Sequence, residues 1–91
     1  MFLGYYIYKI KNKQYLLLKV DLATAISKKI TNKNVISFIY NLQKDIDNIV
    51  FVAFDGFTGT KYSGDNNIIN YLKNDHLDYN TIPWSPIPHS H

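Results

Sequence analysis

Two apolar, β-branched and aromatic runs open the chain, Phe2 to Lys11 and Tyr15 to Val20, with polar Asn12-Lys13-Gln14 between them. That pattern predicts an N-terminal β-hairpin. A three-residue loop would pair Ile10 with Leu16, Tyr8 with Leu18 and Tyr6 with Val20 on one face. Lys11 with Tyr15, Lys9 with Leu17 and Ile7 with Lys19 would share the other. Register follows burial, so the loop that best separates lysines from apolar residues is preferred. One face is then core, and the other is a half-wet surface of Tyr5, Tyr15, Lys9, Lys11 and Lys19.

Helical spacing follows. Asp21 is placed to cap a short helix carrying Leu22, Ile26 and Ile30, and the polar group Thr31 to Asn34 breaks it. Val35, Phe38, Ile39, Leu42 and Ile46 then recur at helical spacing, with Asn48 ending the run. Ile49 to Phe54 is continuously apolar, as expected of a strand buried on both faces. Asp55-Gly56 signals a second hairpin, with Phe57 to Tyr62 as the return strand. Ser63-Gly64-Asp65 precedes a third helix with Ile68, Ile69 and Leu72 inward. The order ββ-αα-ββ-α predicts a two-layer α+β domain, an antiparallel sheet of two hairpins packed against two or three helices. Residues 1–76 form the single compact domain, and the Pro-rich segment 77–91 is an extended tail.

Composition narrows the chemistry. The chain has 91 residues, no cysteine and a net charge of +3. All ten basic residues are Lys and all seven acidic ones Asp. A chain this size buries about 60–65% of its unfolded surface, so its stability rests on a small aromatic-rich core. Disulfide scaffolds, thiolate zinc sites and cysteine nucleophiles are excluded. The abundance of Ile, Lys, Asn, Tyr and Phe matches A/T-rich codons, which points to a virus, phage or other mobile element. The longest charge-free apolar stretch, Asn34 to Gln43, is far short of the ~20 residues a membrane span needs. Phe2 to Tyr8 lacks the basic start and cleavage site of a signal peptide, so the expected location is the cytoplasm of a bacterium or of an infected host cell.

Candidate chemistry is sparse. Gly4-Tyr5-Tyr6-Ile7-Tyr8 followed by Tyr15-Leu16-Leu17 resembles the opening of GIY-YIG endonucleases. That resemblance implies a catalytic arginine and a metal-binding glutamate, residue types the chain does not contain, so the activity is not carried over. Asp75, His76 and Asp78 offer part of a metal-binding set, and His89 and His91 another, but neither has the spacing of a known loop. His76 has no serine in a nucleophile-elbow context. No glycine-rich phosphate loop is present.

The expected protein is therefore non-catalytic and without cofactor, a small binding protein that occupies a surface of a larger host protein as an inhibitor or modulator, for example of a defence or nucleic-acid enzyme. Trp84 and Ile87 in the tail are either a docking segment for that partner or a cover for the domain's own core. Together with Tyr5, Tyr15, Lys9, Lys11 and Lys19 they make the candidate contact. The alternative is a single-stranded nucleic-acid binder that stacks bases on the hairpin tyrosines and neutralises phosphates with its lysines. A second copy of the chain is a third candidate cover for the aromatic face.

Overall fold

The computed structural model describes residues 4–57 and 59–88. The first hairpin is formed by β1 (Gly4–Ile10) and β2 (Lys13–Lys19), and the second by β3 (Asn48–Asp55) and β4 (Gly59–Ser63). Between them lie α1 (Leu22–Ser27) and α2 (Lys33–Leu42); α3 (Asn66–Asn74) and the two-residue β5 (Ser85–Pro86) follow. The α+β class and the ββ-αα-ββ-α order hold. Among the described residues no helix is long and apolar enough to cross a membrane.

The sheet is mixed rather than antiparallel throughout. Its order is β4-β3-β2-β1-β5, and the hairpins join through a parallel β2–β3 pair in which Leu17 faces Val50 and Leu18 faces Phe51. A parallel joint needs a long crossover, which α1 and α2 supply. Both faces are covered, so the sheet is a middle layer. Leu16, Leu18, Val20, Phe51 and Ala53 meet Ala25 of α1 and Val35 of α2 on one side. Tyr8, Tyr15, Leu17, Val50 and Val52 meet Ile68, Ile69 and Leu72 of α3 on the other, with Ile82 of the C-terminal segment.

The hairpin register also differs from expectation. The turn is the two residues Lys11-Asn12, with Lys11 at φ +55°, so Tyr8 pairs with Tyr15 and Tyr5 with Leu18. The shift changes parity, which moves one strand's side chains to the opposite faces. The physical cause is the double burial: no wet face exists, so separating lysines from apolar residues selects the wrong partners. The second hairpin closes at Asp55–Gly59, and Asp55 Oδ1 accepts from Phe57 N–H at 2.9 Å, leaving Phe57 in the loop rather than on the return strand.

Helix ends follow side-chain capping. Asp21 accepts from Thr24 N–H at 2.7 Å, Asn32 from Asn34 and Val35, and Asp65 from Asn67. α1 stops at Lys28, whose backbone is left-handed at φ +59° and returns its N–H to Thr24 O. Ile30 therefore joins the core from a loop. α3 ends in a Schellman turn, in which His76 N–H meets Lys73 O and Leu77 N–H meets Leu72 O, with His76 at φ +57°. At Gly64, φ +147°, a Cβ would come within 3.0 Å of Ile49 O, so only glycine lets the chain turn from β4 into α3.

Left-handed backbone at a residue other than glycine is strained by roughly 1–2 kcal/mol, partly offset in a glycine variant by the greater entropy of its unfolded chain. His76→Gly and Lys28→Gly should each raise stability by about 0.5–1 kcal/mol, read from urea unfolding midpoints. A loss of stability at either position would show that the side chain, not the backbone, makes the cap.

Candidate functional site

The seven predicted contact residues do not share a surface. Tyr5 sits over the α2 side of the sheet, its ring 4.6 Å from that of Phe38, and Lys9 lies exposed further along that face of β1. Tyr15 is on the α3 side and buried, at 8% exposure. Lys19, on the same side, lays its ammonium 5.1 Å from the centre of the Tyr79 ring. Lys11 is exposed in the turn. Trp84 packs on the α3 core and donates from Nε1 to Tyr79 O at 2.9 Å, whereas Ile87 packs on the opposite core. Between them Ser85 and Pro86 pair with Tyr5 and Gly4. The aromatic part of the segment thus covers the domain's own core. A Cβ on Gly4 would come within 3.1 Å of Ser85 O, which shows how closely the segment lies against β1.

Asp75, Asp78 and the backbone of His76 help to hold this side together. Tyr8 Oη donates to Asp75 Oδ2 at 2.5 Å, and Tyr62 Oη donates to Leu77 O. Asp78 Oδ1 accepts from Asn80 and Thr81 N–H, and Thr81 Oγ1 accepts from Asp78 N–H while donating to His76 O. The end of α3 is thereby tied to β1, to β4 and to the loop after it. Among the described residues no three metal-ligating side chains converge. His89 and His91 lie outside the described residues. Burial first, and then the hydrogen bond to Asp75, push the Tyr8 phenol well above its ordinary value; burial and the charge of Asp78 raise Tyr62. Both phenols stay protonated, which suits donors and not nucleophiles.

Two other places hold surface chemistry. On α2, Ile36 is 48% and Tyr40 75% exposed, one turn apart beside a groove of about 420 Å³ that Leu16, Ile39, Ile46 and Ile49 also line. Helical spacing had assigned Val35, Phe38, Ile39 and Leu42 to the core; the two apolar residues left off that stripe were the available signal. The second place is a polar cleft of about 730 Å³ between the Lys11-Asn12 turn and α3. It is lined by Lys11, Lys13, Asn67, Asn70, Tyr71 and Asn74 among others. Helical spacing in α3 marks Ile68, Ile69 and Leu72 as inward and carries no signal for the asparagines on its other face. Comparison with protein families, curated proteins and solved structures finds no significant match for the chain.

The Tyr8–Asp75 bond is open to test by pH. A tyrosine ionises near 10.0 in the unfolded chain and higher in the fold, so the stability tied to the neutral phenol is complete below about pH 10 and drains away above it. Tyr8→Phe should cost about 1 kcal/mol at neutral pH. It should also lose stability less steeply than the parent between roughly pH 10 and pH 12, measured by urea unfolding. Parallel declines would remove Tyr8 from the alkaline transition.

Proposed function

We propose that this is a non-catalytic binding protein that occupies a surface of a larger protein and thereby inhibits or modulates it. One observation carries the reading: Ile36 and Tyr40 stand exposed one turn apart on α2, beside a groove lined by the apolar Leu16, Ile39, Ile46 and Ile49 and the polar Gln43, Asp47 and Asn48. A folding constraint alone favours polar residues at such positions. The complementary partner presents one protruding apolar side chain to enter the groove. The A/T-coded composition fits a mobile element, with the partner a protein of its host. Tyr5 and Ile87 pack in the core beneath α2, whereas Tyr15 and Trp84 pack in the core on the α3 side, so none of the four offers a free contact surface of its own. The proposed contact is therefore α2 rather than the C-terminal segment.

The test is quantitative affinity capture from host lysate with the parent protein, Ile36→Lys/Tyr40→Lys and Trp84→Ala. The expected result is a stoichiometric partner retained by the parent and reduced at least tenfold by the α2 double variant, which should unfold at an unchanged urea concentration. A partner kept by that variant, or no specific partner at all, would overturn the reading.

A further inference from the structure

The cleft between the first hairpin turn and α3 has a different chemistry from the α2 groove, and lies on the other side of the sheet. Lys11 and Lys13 stand exposed at one rim. The opposite wall is a stripe of α3: Asn67, Asn70 and Asn74 recur every three or four residues and so share one helix face. Tyr71, 45% exposed, adds an aromatic ring to the same wall. Asparagine is a poor helix former, yet the nine-residue α3 holds four of the chain's ten. An A/T-rich code accounts for how many asparagines the chain has. It does not account for four of them, Asn12 of the turn included, lining one cleft.

We infer that this cleft binds single-stranded nucleic acid. Ammonium groups neutralise phosphates, an exposed ring stacks on a base, and carboxamides, each with a donor and an acceptor, match the edges of bases. An acidic peptide brings no base to stack on the Tyr71 ring, and a neutral sugar would leave the lysines idle. Asp65 also lines the cleft, but its Oδ1 accepts from Asn67 N–H at the start of α3, so its carboxylate belongs to the helix wall; the phosphates follow the turn and the bases the helix. The hairpin contributes its turn and the strand ends beside it, Ile10, Lys13 and Tyr15, to this site. The site is independent of the α2 groove.

Fluorescence anisotropy with a labelled twelve-nucleotide DNA strand, and the RNA of the same sequence, tests the inference at 50 and 200 mM salt. Two neutralised phosphates predict about sevenfold weaker binding at the higher salt. Lys11→Asn/Lys13→Gln keeps the turn, because asparagine tolerates a left-handed backbone, and should abolish most of that salt dependence. Tyr71→Ala should weaken binding about tenfold or more by removing a stacking surface. Lys28→Asn/Lys29→Gln, a pair away from the cleft, should leave it unchanged. Competition by millimolar adenosine monophosphate would show that one nucleotide fills the site; competition by unlabelled strand alone would show that several phosphates are needed. Absence of binding to both strands at 50 mM salt would overturn the inference. So would equal weakening by the Lys28/Lys29 pair, the mark of diffuse charge attraction.

Discussion

The rest of the molecule depends on one constraint: the two middle strands have no face that water can wet. Leu16, Leu17 and Leu18 are consecutive, and none retains exposed surface; Val50, Val52 and Ala53 on the neighbouring strand are equally dry. Successive side chains on a strand point to opposite sides, so such a run demands a covering layer on each. α1 and α2 supply one, and α3 with the segment after it supplies the other. A fully buried leucine is worth roughly 1.5–3 kcal/mol, which in a domain this small makes neither layer dispensable. The C-terminal segment is accordingly part of the fold, since Ile82 is only 3% exposed.

The aromatic residues then serve two purposes at once. Their rings fill the α3 side of the sheet, while their polar ends tie down the strained region where α3 stops. Tyr8 reaches Asp75, Tyr62 reaches Leu77 O and Trp84 reaches Tyr79 O. A buried hydroxyl or indole N–H without a partner is costly, so each ring is placed where a carboxylate or carbonyl waits. Among the described residues no buried side-chain nitrogen or oxygen lacks a partner. What looked from composition like a surface for stacking is in large part the internal fastening of the domain.

The same constraint explains what could be read from the chain. The charge-free run Ile49 to Phe54 made a doubly buried strand legible, although only Val50 to Ala53 are buried and Phe54 is 50% exposed; the inward residues Ile68, Ile69 and Leu72 followed from their spacing. Tyr15-Leu16-Leu17-Leu18 carries the same continuous signal, but Lys9, Lys11, Lys13 and Lys19 around it suggested alternation and a wet face. Lysine does not require one. Lys11 and Lys13 stand exposed at the turn, and Lys19 extends along the sheet until its ammonium meets the Tyr79 ring. From that single misplaced face came the wrong register and the expected two layers. The parallel joint was hidden for another reason: two hairpins can meet at either strand, and only the packing of the crossover helices decides which. The cover formed by Trp84 and Ile87 was left open by sequence, because prolines specify an extended chain without specifying what it lies on.

Two surfaces depart from what folding alone would select, and each does so in its own way. Ile36 and Tyr40 leave apolar area in water on α2, and the Asn67, Asn70 and Asn74 stripe lowers the helical propensity of α3. A codon bias toward Ile and Asn supplies such residues without deciding where they fall. Their positions put an apolar groove and a polar cleft on opposite sides of one sheet, so a ligand seated in either leaves the other open. The two sites meet at β2, where Leu16 lines the groove and Tyr15 the cleft, and across the β2–β3 joint, where Tyr15 pairs with Asn48 of the groove. A strand with both faces buried does not slide without losing its packing on each side, so the fold gives that contact no second arrangement to switch into. Independent occupancy of the two sites, rather than allosteric exchange between them, is what this architecture favours.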